Sequence, residues 1–384
     1  MMHKVRVGIM TFWWTHSNYG QVLQAYALMT FLKNLGYDVF FIRYQGIGDI
    51  KKKSILKRLL TFNLKAFVNR RIISYKLAKE SKLTPRRFED FKAKYLTYSA
   101  EQYASLKELQ NNPPIADVYI AGSDQVWNNT FSPSCEPYLL GFGDENIKRI
   151  AYAASFGQKR LSDTTKDLFI RNIGRFDAVS VREFSGLEIC KDVGCDNAIW
   201  LPDPTFLLDK AIWSSLYQSS SPVMNNVSSI FIYTLGNSLI KNRSKYIDHV
   251  SSLPNVTISH VSSNYDFSGN SFPTIEEWLK LIDDSQFVIT NSFHGMVFSI
   301  ILNRNFVILP NTGAATGMNE RITSLLEKLQ LEDNMMSDYD SEKLNLLMKK
   351  QIDWEFVNKS ISIWRSEAEA FLIESLPAPK APLV

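Results

Sequence analysis

The sequence lacks most of the features that place a chain at once. It has only three cysteines, Cys135, Cys190 and Cys195. That number is too small and too uneven for a disulfide framework. Cys190 and Cys195 have no histidine nearby, so free thiols in a reducing cytoplasm are expected rather than a zinc site. No apolar run approaches the roughly 18 residues of a membrane-spanning helix. No secretory leader is expected, because the apolar run behind the basic N-terminus ends at Trp14 without a small-residue cleavage site. Neither charge dominates: 43 Lys and Arg against 39 Asp and Glu leave +4, too mild to imply nucleic acid. The dinucleotide fingerprint GxGxxG is missing from the first strand-to-helix turn. No metal-ligand cluster is present either; His249 and His260 stand alone and are expected to be surface or core histidines, and no metal is expected. Low-complexity segments and fixed-period repeats are absent.

What remains is an ordinary globular composition, 45% hydrophobic and 21% charged, in 384 residues, a length that suggests two domains. The most informative stretch is FVITNSFHGMVFSIILNRNFVIL, Phe287 to Leu309. It reads strand, turn, helix, strand, a βαβ unit with parallel strands. Asn291 or Ser292 can cap the helix, and His294 then sits in its first turn, outside the carboxyl end of a strand. Ligands of open α/β sheets bind there, and a helix start offers free N–H groups to an anion.

A second βαβ unit opens the chain: a strand at Val5 to Thr11, a helix through VLQAYALMTFLKNL, and a strand at Asp38 to Tyr44. Asn18 with Gln21 three positions later resembles a capping box, and Gly36 suits the helix end. The intervening turn is long and aromatic, so Trp13, Trp14 and His16 either line a site or pack in the core. Lys51 to Lys94 carries fifteen Lys/Arg against three Asp/Glu, which leaves the rest of the chain net acidic. Apolar residues from Ile55 to Ile73 fall at helical spacing. A helical insertion with a solvated basic face is the favoured reading; contact with an anionic membrane surface is the competing one. No nucleic-acid module accompanies the charge, and no nucleic-acid partner is expected.

Further strands are expected at Asp117 to Ala121, Ile150 to Ser155 and Ala178 to Arg182. The first leads into GSDQVWN, a candidate ligand loop, and the last ends in Arg182-Glu183 before a helix through FSGLEICKDVG. Asp203 lies between prolines in a rigid turn and is expected to accept from loop amides. Serine-rich Trp213 to Ser229 marks a domain boundary. Arg321 falls near the start of the helix RITSLLEKLQL, a poor place for a cation unless it faces an anion. The expected fold class is α/β. Residues 1–212 are expected to form an N-terminal α/β domain, with the basic insertion at 51–94, 213–350 a C-terminal α/β domain, 351–376 a returning helix and 377–384 a tail.

THSNYGQVLQAYAL, AGSDQVWN, SVREFSG, LPDPTFLL, TNSFHGMVFSI and NERITSLLEKL, in that order, resemble the polysaccharide pyruvyl transferase family over roughly residues 5–330. The resemblance implies two Rossmann-like domains of GT-B type, a cleft between them, and a last helix crossing back to the first. It implies a transferase that moves the enolpyruvyl group of phosphoenolpyruvate onto two hydroxyls of a sugar as a cyclic ketal. The acceptor would be a precursor of a bacterial surface polysaccharide such as a capsule or exopolysaccharide, in some members carried on a lipid diphosphate. Phosphoenolpyruvate is a co-substrate, and no cofactor is expected. The cytoplasm is the expected location, at the inner membrane face if the basic stretch engages lipid.

That chemistry needs a proton donor, a base, and cations for one phosphate and one carboxylate. By resemblance His294 is the acid or phosphate binder, and Asp124 is the candidate base. Many relatives carry arginine where this chain has Ser292, so Arg182 and Arg321 become the candidate cations. Asn291, Ser292 and Gly295 complete the expected donor site. His16, Asn18, Gln21, Ser123, Gln125 and Trp127 are expected on the acceptor side, with Trp13 or Trp127 stacking on a sugar face. The alternatives are a GT-B-type glycosyltransferase using a nucleotide sugar and a non-catalytic membrane-surface subunit of polysaccharide assembly.

Overall fold

A computed structural model describes residues 4–46, 71, 75–76, 86–129, 134–218, 228–236, 240–263 and 266–379. The strands of the first half are β1 (Arg6–Met10), β2 (Asp38–Tyr44), β3 (Tyr98–Tyr103), β4 (Val118–Ala121), β5 (Lys148–Ala154), β6 (Ala178–Val181) and β7 (Ile199–Trp200). They form one sheet in the order β3-β2-β1-β4-β5-β6-β7, with every pair parallel. Parallel strands need crossovers, which here include α1 (Tyr19–Asn34), α2 (Phe88–Tyr95), α3 (Leu106–Asn111), α4 (Asp163–Asn172) and α5 (Ser185–Asp192), and α6 (Lys210–Ser215) follows β7. Covered on both faces, the central strands are largely buried, and all four residues of the apolar β4 are buried.

The second half holds β8 (Ser228–Leu235), α7 (Arg243–Ser251), β9 (Val256–Ser263), α8 (Ile275–Asp284), β10 (Phe287–Thr290), α9 (Phe293–Ile301), β11 (Asn305–Ile308), α10 (Glu320–Leu329) and α11 (Ser341–Lys349). Its sheet is also all-parallel, in the order β11-β10-β8-β9. The last helix, α12 (Trp354–Ser375), crosses back to the first half. There Trp364 Nε1 donates to Trp200 O at 3.2 Å and Lys148 Nζ to Ser375 O at 3.3 Å.

Local chemistry accounts for the element ends. The Asn18 side chain accepts from the Gln21 amide and starts α1. Asn303, at φ +57°, turns the chain out of α9, as an asparagine in the left-handed region can. The edge strand β3 has no counterpart in the sequence analysis. Its sequence YSAEQY exposes Ala100, Glu101 and Gln102, so the apolar signal is thin. Most of the basic stretch, including the apolar positions from Ile55 to Ile73, lies outside the described residues, which between 47 and 85 are Arg71, Tyr75 and Lys76. Its C-terminal part is described and includes the start of α2. Of the expected boundary, Trp213 lies in α6 and is fully buried, and 219–227 lie outside the described residues. Among the described residues, no helix is long and apolar enough to cross a membrane.

Two features bring the site together. Each sheet reverses its strand order once, between β1 and β4 and between β8 and β10, and a crevice opens at the carboxyl ends of such pairs. The two halves also share one apolar core, which joins Tyr19, Leu23 and Tyr26 of α1 to Tyr233, Trp278, Phe293 and Val297. Tyr19 stacks on Trp278 with ring centroids 5.1 Å apart and donates from its hydroxyl to Pro273 O at 2.7 Å. Arg86 Nη2 crosses the same seam to Ser262 O at 2.9 Å.

Candidate active site

The floor of the site on the second half is the turn from β10 into α9. Thr290 Oγ1 donates to Tyr233 O at 2.6 Å and accepts from the Ser292 amide at 3.0 Å. Ser292 is the N-cap, accepting from the Gly295 amide at 3.2 Å. The Asn291 amide spans the β8/β10 reversal: its oxygen accepts from Leu235 N, and its nitrogen donates to Leu235 O and to Asn311 Oδ1. Asn311 in turn is bonded to Asn319, just before α10 and Arg321. Asn291 and Ser292 therefore build the turn and spend their polar atoms on it. Gly295 is needed for close packing, because a Cβ there would lie 2.5 Å from Thr290 Oγ1.

This turn delivers His294 into the seam, buried against α1. A Cβ on Gly20 would lie 2.1 Å from His294 Nδ1, so the helix of one half accepts the imidazole of the other only because position 20 has no side chain. On its far side, His294 Nε2 is 3.5 Å from Asp203 Oδ2. Asp203 Oδ1 caps its own turn, accepting from Thr205 N at 3.0 Å and Thr205 Oγ1 at 2.8 Å. Oδ2 is left for the site, where it also meets Arg182 Nη1 at 2.9 Å and Ser123 Oγ at 3.1 Å. Burial alone would raise the Asp203 carboxyl; the His294 ring and the Arg182 guanidinium outweigh it and hold the group far below the usual carboxylate range.

Two guanidiniums complete the centre. Arg182, from the end of β6, lies 4.8 Å from the centroid of the Phe293 ring, and Arg321, from the first turn of α10, lies 5.3 Å from it. Both are buried, and burial followed by repulsion from Arg182 brings Arg321 down to about 10. The Gln125 amide, with its carbonyl turned to Arg321, sits 3.1 and 3.2 Å from Nη1 and Nη2. Among the described residues, Arg182 Nε and Nη2 and Arg321 Nε have no hydrogen-bond acceptor. Buried N–H groups are rarely left so, and donors of this geometry suit carboxylate or phosphate oxygens.

The structure brings together His294, Arg182, Arg321, Ser123, Gln125 and, between those two loop residues, Asp124. Asp124 sits at φ +83° with Oδ1 accepting from the Gln125 amide at 2.8 Å. Trp127 corrects the expectation of a sugar platform. It is fully buried among Phe156, Phe169 and Phe176, with its indole N–H bonded to Tyr138 O, because the β4 loop turns inward immediately after Gln125. His16 is 80% exposed and pairs with Glu89 at 3.0 Å, with no contact to His294. Trp13 donates to Tyr44 O and packs edge-on against Trp14. Asn18 caps α1, and Gln21, half-buried in its first turn, lies next to Gly20.

Sequence reasoning missed three participants. Gly20 left no signal except its place within NYGQ. Phe293 reads as one more apolar residue. Glu183 is buried, with Oε1 accepting from Ser155 Oγ and the Phe156 and Gly157 amides, which fixes the loop after β5. Asp203 was visible in its proline-bounded turn, but only half of its role was. Among the described residues, no group of three His, Cys, Asp or Glu side chains could hold a metal ion.

The sequence model of a family described as polysaccharide pyruvyl transferase matches residues 18–313, more than half of the chain. No curated protein matches. Among solved structures, a protein from Listeria monocytogenes, titled as a UDP-N-acetylglucosamine 2-epimerase by assignment, is similar over 100% of both chains, with 9% identity and a TM-score of 0.50. The N-terminal domain of trehalose-6-phosphate phosphatase from Candida albicans is similar over 97% of both chains, with 11% identity and a TM-score of 0.50. At such identities the likeness speaks to fold alone: two Rossmann-like halves in the GT-B arrangement.

Proposed function

The chain belongs to the polysaccharide pyruvyl transferase family, and from that premise we propose that it moves the enolpyruvyl group of phosphoenolpyruvate onto a sugar of a bacterial surface-polysaccharide precursor, releasing phosphate. The observation that carries this reading is the pair of buried guanidiniums flanking Phe293, with three of their nitrogens unpartnered among the described residues, beside an imidazole. A small donor with one carboxylate and one phosphate is a ligand of matching chemistry.

In this reading Arg182 and Arg321 hold the donor anions, and protonated His294, oriented by Asp203, gives its proton to the methylene carbon. A sugar hydroxyl adds to the neighbouring carbon and passes its proton to Asp124. The carbon–oxygen bond to phosphate breaks with its electron pair, and a second hydroxyl closes the ketal. Of the two hydroxyl protons, one balances the new methyl group and the other leaves with phosphate. Ser123 and Gln125 face the acceptor, with Gln21 at the edge. No cofactor takes part.

The test is to incubate the protein with phosphoenolpyruvate and a panel of lipid-linked sugars, following phosphate release and product mass. Release matched by a mass gain of pyruvate less water is expected. Thermal stabilisation by a nucleoside diphosphate but not by phosphoenolpyruvate would overturn the donor assignment in favour of a nucleotide-sugar glycosyltransferase.

A further inference from the structure

One face of α10 runs from the reaction centre to the surface, and the groups beside it change character along the way. Arg321 faces Phe293 in the buried centre. One turn on, Ser324 Oγ accepts from the Phe184 amide at 3.2 Å. Two turns on, Lys328 Nζ lies 5.3 Å from the ring centroids of both Trp200 and Trp364. At 1.5 Å per residue these steps lie about 4.5 Å and about 10 Å from Arg321, the span of one to two sugar rings.

The aromatic group beside this face is both exposed and anchored. Phe184 is 54% exposed, two residues after Arg182, and meets Trp200 edge-on with centroids 5.5 Å apart. Trp200 donates from its indole to the Arg182 carbonyl at 3.0 Å and packs on Trp364 at 5.0 Å. The lip is thus bonded to the residue that carries a reaction-centre guanidinium. Lys328 is exposed and has no carboxylate partner among the described residues. An exposed ring next to a buried site is costly to leave in water and suits the C–H face of a pyranose, while an ammonium held over two indole rings with no carboxylate partner beside it suits an anion.

We propose that Phe184 and Lys328 form an acceptor subsite for an anionic saccharide, Phe184 taking the ring face of one sugar and Lys328 a negative group on it or on the next. This rests on the proposed sugar acceptor and names its chemical class. The negative group has two sources, the carboxylate of a uronic acid or a phosphate on the sugar.

The test is binding to the full chain in the absence of donor. The indole N–H signals of Trp200 and Trp364, assigned through Trp200→Phe and Trp364→Phe, are followed by NMR during titration with methyl glucuronide, glucose 1-phosphate and neutral methyl glucoside. Saturating shifts are expected for at least one charged sugar, several-fold tighter than for the neutral one. Phe184→Ala should abolish them, Phe184→Tyr should retain them, and Lys328→Ala should bring the charged sugar down to the neutral level. The preferred charged sugar identifies the source of the negative group. No saturable shift with any sugar, or charged-sugar shifts that survive both Phe184→Ala and Lys328→Ala, would overturn the subsite. Because phosphoenolpyruvate is absent, failure of the donor assignment leaves this result readable, and failure here leaves phosphate release readable.

Discussion

Two buried charged clusters lie at the carboxyl ends of the strands, and their difference separates architecture from chemistry. In the first, at the ends of β8 and β9, Arg243 pairs with Asp266 at 2.7 Å. Asp266 also accepts from Thr234 Oγ1 at 2.9 Å and from the Ser268 amide and hydroxyl, and His260 Nε2 lies 3.2 Å from Thr234 Oγ1. One cation meets one carboxylate there, and the loop after β9 is tied down. In the second, at the seam, Arg182 and Arg321 flank one phenyl ring, and three of their nitrogens are unpartnered among the described residues. The first cluster matches its cation with an adjacent carboxylate, whereas the second gathers two guanidiniums around one ring and keeps donors open, which costs stability and suits an anionic ligand.

The strongest test of that contrast is Arg321→Met. Turnover should fall about 100- to 1,000-fold, as when one transition-state donor is removed, while Tm holds or rises because a buried, incompletely partnered charge is gone. A lower Tm with intact turnover would reverse the assignment. Arg243→Met should do the opposite, costing about 3 kcal/mol in denaturant unfolding by stranding Asp266, with phosphate release by the folded fraction nearly unchanged.

Gly20→Ala sharpens the comparison from the other side. The added methyl overlaps His294 and should cost about 1–3 kcal/mol in overpacking, with a drop in kcat larger than the loss of folded protein explains; equal losses would make Gly20 purely structural. The smallest effect at neutral pH is His260→Gln. Burial and then Arg243 lower His260 from 6.5 to about 4. Between those values the unfolded chain binds a proton that the folded one does not, so stability falls as pH falls through this window. Chemical unfolding from pH 7 to 4 should show that slope in the parent chain and not in the variant. Asp203 acts in a lower range: its depressed carboxyl contributes stability that is lost as pH falls below the ordinary value of 3.8.

What the sequence determined by itself was local. Period, caps and turn residues marked β1–α1–β2 and β10–α9–β11, because Asn18, Ser292 and Asn303 act within a few residues of themselves. His294 and Arg321 stood out because each falls at a helix start, and the family resemblance added Arg182 and the role of His294. The tertiary structure alone decided which of these ends meet. Gly20 and His294 are far apart in the chain and touch only because two halves share one core. Asp203 gives one oxygen to its own turn and the other to three residues from distant elements. Trp127 looked like a sugar platform in its loop and became core, while Phe184, unremarkable in sequence, stayed at the surface. Local signals report backbone conformation, whereas the face a side chain presents and the charge it meets depend on contacts across the seam, which no short window of sequence contains.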